Sequence, residues 1–235
     1  MTQAEPMYFK YHIQFESGKK LYFEIHLDPK TLNIIRKQPE NLPAWTERSH
    51  HQCSNCTLEG DEHKYCPVAV EVVDLITAFK DHVSHEMVDV LVETENRNYS
   101  RSIPLQRAAS SLIGIYMTTS GCPIMDKLKP MVRFHLPFAS LEETTYRHIS
   151  MYLTAQFLRA QKGLQADWEL DHLMSAYDEI HTLNRHFCKR ILSAESQDAS
   201  VNAVVILSNF TDFILYKADD QDICGLADIF QSYLK

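Results

Sequence analysis

Cys53, Cys56 and Cys66 crowd into one short polar segment of the chain. The step Cys53-Ser-Asn-Cys56 is a C-x-x-C pair, and its two intervening residues can turn tightly enough for both thiolates to reach one centre. Zinc and iron both favour deprotonated sulfur. Cys66 is followed by Pro67. Proline suits the first position of a helix, which makes Cys66 its N-cap, where the helix dipole favours a thiolate. The same step recurs far away: Gly121 ends one helix and Cys122-Pro123 opens the next. The spacing therefore predicts a metal centre on Cys53, Cys56, Cys66 and Cys122. His63 is the rival fourth ligand, giving C-x2-C-x6-H-x2-C, and His50 and His51 also lie close by.

The plainer reading takes these cysteines as small buried hydrophobes. It suits Cys188 and Cys224, which sit in helical stretches without a partner motif, better than Cys53 and Cys56 with their polar neighbours. Four-cysteine sites serve zinc and iron–sulfur clusters alike. Zinc, the commoner structural ion, is the expected cofactor, and a [4Fe-4S] cluster is the alternative.

A second concentration of unlike groups runs from Ser120 to Phe138, SGCPIMDKLKPMVRFHLPF. Cys122, Asp126, Lys127, Arg133 and His135 would form a pocket if they converged. A Cys122–His135 pair would suit nucleophilic catalysis, and the two cations could hold an anion. The preferred reading is ordinary surface charge around a ligand cysteine.

The surrounding elements must position these groups. Phe9, Tyr11, Ile13 and Phe15 alternate with Lys10, His12 and Gln14. Leu21, Phe23, Ile25 and Leu27 continue the alternation beyond a Gly18-containing turn, which predicts a β-hairpin. A stripe of Val68, Val72, Leu75 and Phe79 predicts a helix from Pro67 to about Asp81. Val88, Val90 and Val92, a polar turn at 95–98 and a run to Ile103 predict a second hairpin. From Pro104 the pattern is helical, with helices ending at Gly121, opening at the capping box Ser140/Glu143, and running through Leu173–Ile191, Val201–Lys217 and Asp222 to the end. The irregular stretch 29–66 calls for a reason, and a bound metal would supply one. The expected fold is α+β: a small antiparallel sheet from two hairpins with a Cys-rich metal loop (1–103), then a C-terminal helical bundle (104–235), in one integrated domain.

Composition narrows the function classes. A net charge of -8, a pI near 5.8 and no basic run argue against a nucleic-acid partner. The stretch Val201–Tyr216 is broken by Asn202, Ser208, Asn209 and Asp212, too polar for a membrane span. No signal peptide is read at the N-terminus. Clustered cysteines in a chain of this size suit a reducing compartment, so the cytoplasm is the expected location. An open sheet edge would suit a homodimer or a protein partner.

The pairing of HHQCSNC and YCP with SGCPIMDKLKPMVRFHLPF resembles a family of uncharacterised bacterial proteins of about this length. The resemblance would cover most of the chain, and it implies no activity, ligand or partner. The expected function is a cytosolic metal-binding protein whose centre mainly organises the fold, with protein interaction as its use. An iron–sulfur redox or sensor protein and an enzyme working through Cys122 and His135 are the alternatives.

Overall fold

The computed structural model describes residues 7–37, 41–194, 198–218 and 228–235. Strands β1 (Met7–Phe15) and β2 (Lys20–Leu27) form the first hairpin, and β3 (Met87–Thr94) and β4 (Asn98–Pro104) the second. All pairings are antiparallel, in the order β2-β1-β3-β4. Gly18 takes a φ of +86° in the first turn, a conformation open to glycine without steric cost.

One face of this sheet is apolar. Tyr11 stands opposite Phe23 on β2 and Val92 on β3, and Val88 opposite Ile103 on β4. All are buried, whereas His12 and Gln14 on the other face are exposed. Helices α1 (Pro67–Phe79) and α2 (Leu105–Thr119) share a single core with that face. The predicted stripe of α1, Val68, Val72, Leu75 and Phe79, is fully enclosed, and each such side chain stabilises the fold by about 2 kcal/mol.

After α2 the chain makes a 3₁₀ turn (Met125–Leu128), a short helix α3 (Lys129–Arg133), and then α4 (Leu141–Gln161), α5 (Asp171–Ser193) and α6 (Asp198–Ala218). The α5 stripe of Leu173, Tyr177, Ile180, Phe187 and Ile191 is buried as its spacing predicts. α6 packs on α2 and α5. It is less central than its composition implies, because Val205 remains 40% exposed. Residues 222–227 of the helix expected from Asp222 onward lie outside the described residues; the described part, 228–235, is not α-helical but a 3₁₀ turn at 228–230 followed by a further turn. Among the described residues no helix is long and apolar enough to cross a membrane.

The capping box opens α4. Glu143 N–H donates to Ser140 Oγ at 3.1 Å, and Ser140 N–H donates to the Glu143 carboxylate at 2.7 Å. α4 has few buried side chains, namely Thr145, Ile149 and Gln156, so its start depends heavily on this cap. Ser140→Ala is expected to cost about 1 kcal/mol of stability, read as a lower urea midpoint with an unchanged slope.

Candidate functional site

The segment 41–66 has little regular structure, yet it is held firmly by polar contacts. A bridge pairs Glu47 with Tyr65, and Cys66 N–H donates to Thr46 O at 2.8 Å. Cys56 N–H donates to Cys53 O at 3.1 Å, closing the tight turn that the C-x-x-C spacing predicts. Arg48 crosses the loop to Leu58 O at 2.9 Å. Asn55 Nδ2 donates to Glu179 O on α5 at 3.0 Å.

The main anchor is Arg190 of α5. It is 2% exposed, and its guanidinium donates to the carbonyls of Trp45 and Glu47 at 2.6 Å each and of Arg48 at 3.2 Å. The sequence alone offered a bound metal as the reason for this loop; a buried cation with three carbonyl partners also fastens it. Arg190 was missed because it read as one of several basic residues between 185 and 190. The available signal was its place three residues after Phe187 and next to Ile191, on the apolar stripe of α5.

Cys53, Cys56, Cys66 and Cys122 all line one pocket of about 30 Å³. Its apolar walls include Leu58, Val68, Ile124, Leu183 and Phe187, and Arg190 closes it on the α5 side. His50, His51 and His63 do not line it; His50 instead bonds Ser193 Oγ at 2.6 Å. The two Cys–Pro steps place their sulfurs alike. Cys66 is the N-cap of α1 and faces the amides of Val68 and Ala69, without closing a capping hydrogen bond. Cys122 faces the amides of Ile124 and Met125.

The thiols of Cys53, Cys66 and Cys122 are not activated. Burial, reinforced by the neighbouring cysteines, pushes Cys53 up to about 12, and burial pushes Cys122 up to about 11. A nucleophilic cysteine needs the opposite shift. Among the described residues, no three His, Cys, Asp or Glu side chains are grouped so that they could hold a metal ion. Cys188 is a half-buried free thiol that does not line this pocket, and Cys224 lies outside the described residues.

The second candidate region does not assemble as a catalytic pair. Cys122 lines the cysteine pocket, while His135 lines a separate and larger cavity. There His135 Nε2 bonds the Tyr11 hydroxyl at 2.8 Å. Lys127 donates to Glu179 at 2.7 Å, Asp126 accepts from Lys129 at 2.9 Å, and Arg133 turns to Met7 Sδ at 3.4 Å. None of these three lines either cavity.

The model of a family described as a domain of unknown function (DUF6901) matches residues 9–231. The chain belongs to this family. The match runs from within β1 to beyond α6. No curated protein and no solved structure matches the chain.

Two half-buried histidines give the fold a defined acid response. Burial, reinforced by the Arg147 guanidinium, lowers both His135 and His148 to about 3 from 6.5. Each takes up a proton on unfolding below pH 6.5, so the unfolded state gains as pH falls. Stability is expected to drop from pH 6.5 toward 5, approaching about 1.4 kcal/mol per pH unit for each histidine. Denaturant midpoints across this window should show the slope, and His148→Gln should flatten it.

Proposed function

We propose that Cys53, Cys56, Cys66 and Cys122 together ligate an iron–sulfur cluster, and that the protein works in electron transfer or in sensing. The observation that carries this reading is the convergence of four cysteines, from segments far apart in sequence, on one small apolar pocket. A lone zinc would draw its ligand sulfurs to about 2.3 Å. The four cysteines line one space with room for about two waters. A four-iron cluster uses one thiolate per iron, which calls for a wider ring.

The surroundings suit such a centre. The Arg190 guanidinium beside Cys53, Cys56 and Cys66 offsets the negative charge of bound thiolates. Amides at both Cys–Pro steps face sulfur, and apolar walls limit water; both features tune a cluster's potential. Three of the four thiols are only partly buried, which keeps the centre near the surface, within reach of an electron-transfer partner or an oxidant. A structural zinc that organises the loop is the competing reading, supported by the tight C-x-x-C turn.

Purification without oxygen is expected to give a brown protein with iron and sulfide in equal amounts, about four of each per chain. Cys122→Ser should lose most of the colour, and Cys188→Ser should keep it. A colourless protein with one zinc per chain would replace the cluster by the structural site. Absence of any stoichiometric metal would overturn both readings.

A further inference from the structure

The larger cavity lies on the other side of the 122–135 segment, among α2, α4, α5 and α6, with a volume of about 180 Å³. Most of its wall is apolar, with Ile115, Met125, Leu128, Val132, Ile206 and Leu207 among the lining side chains. It is somewhat larger than the ~150 Å³ apolar cavity that takes up benzene in another protein.

A purely structural void would be lined by satisfied groups, because a buried donor or acceptor without a partner costs about 1–3 kcal/mol. Here three polar atoms at the wall have no hydrogen-bond partner among the described residues: Tyr177 OH, Asn184 Oδ1 and His148 Nδ1. Tyr177 and Asn184 are each 2% exposed. They lie two helical turns apart on the face of α5 that lines the cavity. The His148 ring stands against Tyr177, with centroids 5.4 Å apart. Unpaired atoms of this kind, concentrated in one cavity, mark places where a ligand's own polar groups fit.

The charge at the wall narrows the ligand class. Arg107 and Arg147 both line the cavity, and among the described residues no Asp or Glu does. Arg147 Nη2 is committed to the carbonyls of Met131 and Phe134, at 3.1 and 2.5 Å. Arg107 has no salt bridge or hydrogen bond among the described residues. An anionic end would meet Arg107, with the Tyr177 hydroxyl as a further donor. Asn184 Oδ1 is an acceptor and requires a donor from the ligand.

We propose that this cavity binds a small hydroxylated carboxylic acid with an aromatic or branched apolar body. The carboxylate meets Arg107 and Tyr177, the apolar body fills the space between the helices, and the ligand hydroxyl donates to Asn184. This site is independent of the cysteine pocket: among the described residues, no cysteine lines it.

The test is calorimetric titration of the full chain with para-hydroxybenzoate, para-hydroxybenzamide and benzoate. Saturable binding of para-hydroxybenzoate in the millimolar range or tighter is expected, with the amide at least tenfold weaker. Tyr177→Phe should weaken binding about tenfold without lowering the melting temperature, since it removes an unpaired hydroxyl. Asn184→Leu should abolish the preference for para-hydroxybenzoate over benzoate. Failure of para-hydroxybenzoate to bind saturably, equal binding of acid and amide, or unchanged binding in Tyr177→Phe would each overturn the proposal. A lower melting temperature in Tyr177→Phe would do the same, because it would show that the hydroxyl is already satisfied.

Discussion

A buried guanidinium must have its donors satisfied, and Arg190 meets that demand with three backbone carbonyls of the cysteine loop. The rest of the cysteine site depends on this contact. Leaving the cation buried without acceptors would be costly, so the loop and α5 hold each other in register. A segment without an apolar core of its own is thereby given a fixed course. The three loop cysteines meet Cys122 because α5, packed on its apolar stripe, carries Arg190 to one place.

The segment between Cys122 and His135 organises both cavities. Its first residue, at the end of α2, contributes a thiol to the small pocket. Met125, Leu128 and Val132 then turn toward the large cavity, and His135 closes on Tyr11 of the central strand. One connection thus separates a sulfur-lined space from a space lined by arginine, tyrosine and asparagine. The charged side chains between them, Asp126, Lys127 and Arg133, serve as surface ties to neighbouring elements.

Much of this architecture was legible in the sequence because it follows from periodicity. Alternation fixed which face of β1 is buried, and the stripes of α1 and α5 lie where their spacing puts them. The repeated Cys–Pro step pointed to Cys122 as the partner of the loop cysteines in space, since proline at a helix start constrains the residue before it. Arg190 and the large cavity could not be read the same way. A buried arginine and an exposed one look identical in composition, and only the carbonyls of residues 45–48 distinguish them. The unpaired atoms of Tyr177, Asn184 and His148 come from two helices, and nothing in their local spacing signals a shared void. Cys122 and His135, close in sequence, invited a pairing that the fold divides between two spaces.

The long reach of the Arg190 contact has a consequence for biosynthesis. Cys53, Cys56 and Cys66 leave the ribosome well before Cys122, and the last of them 124 residues before Arg190 (190 − 66). At bacterial or eukaryotic elongation rates that interval is on the order of ten seconds. Throughout it the loop lacks its anchoring cation, and for the first 56 residues (122 − 66) it lacks its fourth thiol as well, so the loop thiols travel on a nascent chain as an open segment. The complete pocket is a product of late folding, and whatever fills it meets a nearly finished polypeptide.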